Sequence, residues 1–179
     1  ATAVVITGAL HEDGLADSAD GLWGGWDKTR RLEIMKDSSI GAYGVLTLIL
    51  GIGLRWMCLS ILLDTPHWVA ALIVPASLSR ATMVAVMSGL PNARDAGLSR
   101  SVGRPSIATC GIAVAIAAFL ALTVLGLNGL WLCVIAAIAA LACAAIATRK
   151  IGGQTGDILG ATQQVTEIAL LVTFTSIAA

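Results

Sequence analysis

Charged residues are scarce in this 179-residue chain. They make up 12% of the sequence, whereas hydrophobic residues make up 57%. An ordinary soluble domain carries roughly 25% charged residues. The scarcity therefore excludes an ordinary soluble protein and predicts an all-α, polytopic transmembrane helical bundle, in which residues 1–179 form a single integral-membrane domain.

Patterns typical of disulfide and zinc chemistry are also absent. The four cysteines lie in apolar runs, and no two of them form a C-x-x-C pair. We interpret them as small buried hydrophobic residues. The chain also has neither an initiating methionine nor a signal-peptide pattern, because Ala1 opens directly into an apolar stretch. We therefore expect that N-terminal membrane segments are missing from it.

Apolar runs of the length of a membrane span occupy most of the chain. A bilayer core of about 30 Å requires about 20 apolar residues per helix. Together with a shorter run near the C-terminus and the end of a helix at residues 1–10, these runs predict about five to six membrane segments. The runs are residues 40–63, 68–90, 107–127, 130–148 and 165–179.

Alternation of these spans places three polar loops on one side of the membrane, at residues 11–39, 91–105 and 149–164. These loops carry most of the lysines and arginines, and the turns on the opposite side carry none. Short loops rich in Lys and Arg face the cytoplasm. The pattern thus predicts three cytoplasmic loops that converge on one face of the bundle.

The first loop contains three aspartates at helical spacing. Asp13, Asp17 and Asp20 stand at i, i+4 and i+7, so they share one face of a helix. Three carboxylates at close range repel one another unless a hard cation neutralises them, and Mg²⁺ prefers a few carboxylates together with phosphate oxygens. The spacing predicts a divalent-metal site suited to cleavage of a diphosphate. A solvated acidic helix end is the simpler alternative.

A second polar segment runs from Glu33 to Gly41 and enters the first long span. Lys36 is a candidate contact for a phosphate, and Asp37 a candidate metal ligand or base. The same segment is equally typical of a helix start, with Asp37, Ser38 or Ser39 as the N-cap. Spacing alone leaves both interpretations open.

The third polar segment is a glycine-rich loop at residues 149–161, with two cations in front and Asp157 inside it. Glycines allow backbone N–H groups to approach an anion closely, and Asp157 is suited to a metal or a ribose hydroxyl. The loop is not a Walker A motif, because no lysine follows its last glycine. We interpret it as a binding loop rather than as a plain connection.

Two arginines lie inside apolar spans. Arg80 is about ten residues from either end of its span, and a cation at that depth costs at least about 2.5 to 3.5 kcal/mol. We expect it to pair with a carboxylate or a substrate phosphate. Arg55 poses the same problem, and its role stays open. Arg94, in the second loop, is either a phosphate contact or an ordinary cytoplasmic-side cation.

These motifs, in this order, resemble the cobalamin synthase family, also described as adenosylcobinamide-GDP ribazoletransferase. The resemblance covers essentially the whole chain, and two long motifs near its opposite ends make it specific. Members of that family carry additional membrane segments before the first motif. The matching segments are LHEDGLADSADG at residues 10–21, EIMKDSSIGAYG at 33–44, Ser79-Arg80, Ala93-Arg94, and KIGGQTGDILGA at 150–161, followed by Glu167.

The resemblance implies a Mg²⁺-dependent enzyme of a bacterial inner membrane, with its catalytic loops facing the cytoplasm. α-Ribazole or its 5′-phosphate attacks the diphosphate of adenosylcobinamide-GDP, and GMP leaves. Membrane lipid is an expected partner and nucleic acid is not, while self-association or a complex with other cobalamin-assembly enzymes is compatible with it. The residues implied for the metal are Asp13, Asp17 and Asp20. Asp13 is also implied in catalysis, with His11 or Asp37 as the general base. The residues implied for substrate binding are Lys36, Ser38, Arg80, Arg94, Gly153, Thr155 and Asp157.

Two other functions compete with this interpretation. A CDP-alcohol phosphotransferase also cleaves a diphosphate at membrane aspartates, but its D-x-x-D-G-x-x-A-R pattern is absent. A cation transporter would carry its carboxylates at mid-membrane, whereas the predicted loops place Asp13, Asp17 and Asp20 near the cytoplasmic surface.

Overall fold

The computed structural model describes residues 2–178, and in this part of the chain every regular element is an α-helix. This confirms the predicted all-α bundle. The helices are α1 (Thr2–Thr7), α2 (Leu10–Gly24), α3 (Lys28–Ile34), α4 (Ala42–Leu63), α5 (Trp68–Gly89), α6 (Leu98–Val102), α7 (Ile107–Leu125), α8 (Leu127–Ile151) and α9 (Gly156–Ala178).

Among the described helices, α4, α5, α7 and α8 are long and apolar enough to cross a membrane. The chain is therefore a membrane protein. Helix α9 contains the predicted span at 165–179, of which residue 179 lies outside the described part. This helix is less apolar, because Gln163, Gln164 and Glu167 lie in it. The predicted helix end at 1–10 contains α1, and Ala1 lies outside the described residues.

The first predicted loop is largely helical. Helix α2 packs most extensively against α9 and also against α4, so the aspartate segment lies within the bundle rather than over its surface. Helix α3 follows and is capped by Asp27, whose carboxylate accepts the Arg30 N–H at 3.0 Å. Arg31 braces this turn by donating to the carbonyls of Gly25 and Lys150, at 3.0 Å each.

Glycines set the crossing of α2 with α9. A Cβ atom at Gly14 would lie 2.8 Å from the Asp157 carbonyl oxygen, and one at Gly160 would lie 3.2 Å from the His11 Cα. Small residues at a helix crossing let two backbones approach closely. The contact therefore places the first turn of α9 directly beside the aspartate face of α2.

The second and third polar loops are joined by backbone pairing. The Ala93 N–H donates to the Gln154 carbonyl and the Gln154 N–H to the Pro91 carbonyl, both at 2.8 Å. The fully buried Gln154 side chain donates to Asn92 and accepts from Ser99, at 2.6 Å each. Buried, satisfied amides of this kind rigidify a structure, so the two loops form one wall.

The main apolar core lies away from these loops, between α4, α5, α7, α8 and α9. Its fully buried side chains include Leu62, Val74, Leu132 and Leu170. Many large apolar side chains on the outer faces of the long helices are exposed. Such outward faces suit contact with lipid.

Replacement of Gly14 by alanine tests the α2–α9 crossing. The new Cβ would meet backbone that cannot move aside, so we expect destabilisation of about 1 to 3 kcal/mol. Gly53→Ala is the matched control, because Gly53 lies in α4 and a Cβ atom there would have open space within 4 Å. Alanine at this position should be neutral or stabilising. Detergent-titration unfolding measures both, and equal effects would contradict this account of the crossing.

Candidate functional site

Two cavities meet at Asp13, and together they gather most of the predicted site residues. The acidic cavity has a volume of about 510 Å³, and its polar lining is Glu12, Asp13, Asp17, Lys36, Asp37 and Ser38. The arginine cavity is smaller, at about 110 Å³, and its polar lining includes Asp13, Asn92, Arg94, Arg100, Gln154, Thr155 and Asp157. The three polar segments therefore converge around one aspartate.

Asp13 and Asp17 form the acidic face of α2 towards these cavities. Asp13 is exposed and Asp17 is half-buried. Burial, followed by repulsion from Asp13 and Asp157, raises the pKa of Asp17 to about 7. Carboxylates that repel one another in this way form an environment that favours a hard cation.

Asp20 has a structural role that the spacing did not predict. Its two carboxylate oxygens accept the N–H groups of Gly41 and Gly44, at 2.7 and 2.9 Å, at the start of α4. The carboxylate is buried and serves as the cap expected from Asp37, Ser38 or Ser39. Within residues 2–178, no three His, Cys, Asp or Glu residues are close enough to hold a metal ion. The predicted aspartate triad is thus not assembled as one ligand set.

Arg94 and Asp157 form an ion pair on the wall of the arginine cavity, with 3.1 Å between Nη1 and Oδ2. Thr155 donates to the same carboxylate oxygen at 3.2 Å and accepts the Ile158 N–H at 3.2 Å, which starts α9. Burial raises the pKa of Asp157, and Arg94 partly opposes this effect. The Arg94 Nε atom is buried without a hydrogen-bond acceptor.

Gly153 does not line either cavity. A Cβ atom there would lie 2.2 Å from the Pro91 carbonyl oxygen. The glycine is therefore needed for the close pairing of the second and third loops. The predicted contact between Gly153 and a substrate stays a prediction, because this glycine is not part of either cavity lining.

Lys36, Asp37 and Ser38 are exposed on the wall of the acidic cavity. The Asp37 carboxylate accepts the Ser39 N–H at 3.0 Å, and this hydrogen bond lowers the pKa of Asp37. Asp37 is consequently ionised at neutral pH. Lys36 and Asp37 line the same cavity as Asp13, and their predicted roles in binding phosphate and in catalysis stay predictions.

His11 and Arg80 are not among the residues that line the two cavities. Burial, and then the nearby Arg80 charge, lower the pKa of His11, so its imidazole is neutral at pH 7. The Arg80 guanidinium donates to the Ala76 carbonyl of its own helix at 2.9 Å. Among the described residues no ion pair joins Arg80 to a carboxylate, and the substrate phosphate predicted as the alternative partner stays a prediction.

Arg55 is the centre of a buried ionic network that sequence reasoning did not identify. Its guanidinium contacts Glu12 and Glu167, both at 3.0 Å, and donates to the Gln164 side-chain oxygen at 3.0 Å. The Gln164 amide also donates to Glu12 at 2.9 Å. A charge inside an apolar span signals the need for a partner, but these partners are 43 and 112 residues away in the chain.

Comparison with known proteins adds a family match. The family model described as cobalamin-5-phosphate synthase matches residues 1–175. The adenosylcobinamide-GDP ribazoletransferase of Bradyrhizobium diazoefficiens is 48% identical over 176 residues, covering 96% of this chain and 66% of that protein. The protein of the same name from Rhizobium meliloti is 47% identical over 180 residues, covering 96% and 69%. The chain thus spans about two thirds of the length of these relatives, and no solved structure matches it.

Asp17→Asn tests the electrostatic repulsion on α2. An Asp17 pKa of about 7 means that folding is penalised by its ionisation above pH 7, and that this penalty fades as pH falls towards the ordinary Asp value. In metal-free buffer, the variant should unfold at a higher temperature than the parent above pH 7, by about 2 to 4 °C per kcal/mol relieved. The difference should vanish near pH 4. A gain that is independent of pH would contradict the assignment.

Asp20→Ala tests the helix cap. Loss of two hydrogen bonds at the start of α4 should destabilise the metal-free protein by about 1 to 2 kcal/mol. Asp13→Ala is the matched control, because this exposed carboxylate lies on the same helix. It should not lower the thermal unfolding temperature in metal-free buffer, because it removes only repulsion with Asp17 and Asp157. An equal loss in both variants would show that Asp20 has no special structural role.

Proposed function

The chain belongs to the cobalamin-5-phosphate synthase family, and from this premise we propose that it is an adenosylcobinamide-GDP ribazoletransferase. It would join adenosylcobinamide phosphate to α-ribazole or its 5′-phosphate and release GMP. The observation that carries the proposal is the convergence of the three polar segments at Asp13, between an acidic and an arginine-lined cavity. The comparisons favour neither the CDP-alcohol phosphotransferase nor the cation transporter.

Asp13 and Asp17 fit a Mg²⁺ ion. Mg²⁺ is commonly held by one or two carboxylates and completed by substrate phosphates and water. Burial and then repulsion from Asp13 raise the Asp17 pKa, and a cation would relieve that repulsion. Both oxygens of Asp20, in contrast, accept backbone N–H groups. When bound, Mg²⁺ neutralises negative charge on a diphosphate. We assign the metal to Asp13 and Asp17 and leave Asp20 as a helix cap.

The proposed reaction is a phosphoryl transfer. A ribazole hydroxyl oxygen forms a bond to the phosphorus that carries the cobinamide group. The bond from this phosphorus to the bridging oxygen breaks, and the bridging oxygen leaves with GMP. The hydroxyl proton passes to a carboxylate of the acidic cavity. Asp37 lines that cavity and is ionised at neutral pH, whereas His11 is not part of the lining, so we assign the base to Asp37.

The remaining polar residues would orient the substrates. Lys36 and Ser38 are available to phosphate oxygens on the acidic side, and Arg94 on the other. Asp157 is held by Arg94 and Thr155, so it would position the arginine and limit its motion. Charge-assisted hydrogen bonds from arginine to phosphate are among the stronger polar contacts.

We place the protein in a bacterial inner membrane with the cavities towards the cytoplasm. The support is the concentration of Lys and Arg in the three polar loops. Trp68 and Trp131 lie near the helix ends that are remote from the three polar loops, where aromatic residues at the other membrane interface are expected. A corrinoid is bulky and amphipathic, so we expect membrane lipid to contact both the protein and its corrinoid substrate.

The decisive experiment assays the full-length protein in lipid vesicles with Mg²⁺, adenosylcobinamide-GDP and α-ribazole, and identifies products by mass spectrometry. Asp13→Ala should reduce GMP release by a hundredfold or more, on the order expected when a principal electrostatic contact is lost. Asp64→Ala is the control, since Asp64 is an exposed residue of the turn after α4. It should retain full activity.

Two results would count against the proposal. Absence of a corrinoid product from the parent protein with any divalent metal would reject the transferase function. Unimpaired turnover by the Asp13 variant, at an equal level in the membrane, would reject the metal site while leaving the function standing.

A further inference from the structure

Asp13 is shared by the two cavities, which differ in charge. The acidic cavity is lined by the carboxylates of Glu12, Asp13, Asp17 and Asp37, with Lys36 as its cation. The arginine cavity sets Arg94 and Arg100 against Asp13 and Asp157. The acidic cavity therefore has more carboxylates than cations, whereas the arginine cavity has equal numbers of each.

We propose that the arginine cavity binds the phosphate of the GMP leaving group, with Arg100 as a specificity-determining contact, and that the ribazole hydroxyl enters from the acidic cavity. This inference rests on the proposed transferase function and deepens it. It assigns each substrate a side of Asp13, and it assigns Arg100 a role that no motif in the sequence indicates.

We assign the two substrates to the two cavities from the positions at which charge develops during phosphoryl transfer. The attacking and leaving oxygens stand roughly in line, on opposite sides of the phosphorus. The attacking hydroxyl gives up a proton, which requires a carboxylate nearby. The leaving oxygen gains negative charge, which requires cations. Of the two cavities around Asp13, the acidic one meets the first need and the arginine one meets the second.

The wall of the arginine cavity holds Arg94 and the backbone beside Arg100 in place. Ser99, next to Arg100, is buried and donates to the fully buried Gln154 at 2.6 Å. Arg94 is anchored by Asp157 at 3.1 Å and by the Leu32 carbonyl at 3.3 Å, and its buried Nε keeps a free donor. The Arg94 guanidinium is thus fixed in place with one donor unpaired, whereas Arg100 is exposed beside a buried, hydrogen-bonded residue.

The size of the cavity agrees with this assignment. Its volume of about 110 Å³ suits a phosphate group rather than a whole nucleotide, so the guanosine would extend outward past Gly97 and Leu98, which are exposed at its rim. The acidic cavity is several times larger and also has an apolar lining that includes Met35 and Leu48. An aromatic base can be accommodated on that side.

Arg100→Ala in the full-length protein tests the inference. Loss of one charge-assisted contact should raise the KM for adenosylcobinamide-GDP and the inhibition constant of GMP about tenfold each. The KM for α-ribazole, and separately for its 5′-phosphate, should change less than about twofold. Arg100→Lys should recover part of the loss. Arg104→Ala is the control, because Arg104 is an exposed arginine of the same loop that lines neither cavity.

Equilibrium binding of GMP to the same proteins provides a second readout that does not need turnover. Weaker GMP binding by Arg100→Ala than by Arg104→Ala supports the inference, even if the corrinoid reaction itself is not observed. An increase confined to the KM of either ribazole form would place that substrate in the arginine cavity and overturn the assignment. Unchanged constants and unchanged GMP binding would also overturn it.

Discussion

The position of the site depends on how the Arg55 guanidinium is neutralised. A cation inside an apolar helix is costly, and breaking its ion pairs leaves a buried charge. Glu12 of α2 and Glu167 of α9 both contact Arg55, so three helices that are distant in sequence are held at one point. Because Asp13 follows Glu12 directly, the same contact determines where the acidic face of α2 lies. The network makes no contact with a reacting group, yet the site is arranged around it.

The polar residues of the chain divide into those that hold the fold and those that are available for chemistry. Asp20 caps α4, Gly153 permits close backbone pairing, and Arg31 braces the turn after α2. All three roles provide hydrogen-bond partners for backbone N–H and C=O groups, which must be paired when they are buried. Asp13 and Asp37 are exposed on the cavity walls. Neither carboxylate is committed to holding two helices together, and both are open to the acidic cavity.

Each cavity is enclosed by a different set of the sequence motifs. The segments around the first aspartates and around Lys36 enclose the acidic cavity, while the second and third loops, joined through Gln154, enclose the arginine cavity. The proposed cleavage of a diphosphate needs a carboxylate on one side and cations on the other, and Asp13 lines both cavities. This arrangement agrees with the membership of the chain in the cobalamin-5-phosphate synthase family.

The sequence by itself determined the all-α membrane class, the long spans and the family, because hydropathy and contiguous motifs are local properties of a chain. It also selected Asp13, Asp17, Lys36 and Asp37, which the structure gathers around one cavity. Only the tertiary structure decided that Asp20 is a cap, that His11 and Arg80 line neither cavity, and that Arg55 pairs with Glu12 and Glu167. The physical reason is that residues at i, i+4 and i+7 share a helical face whatever that face meets, whereas the partner of each carboxylate depends on which distant helix is packed against it.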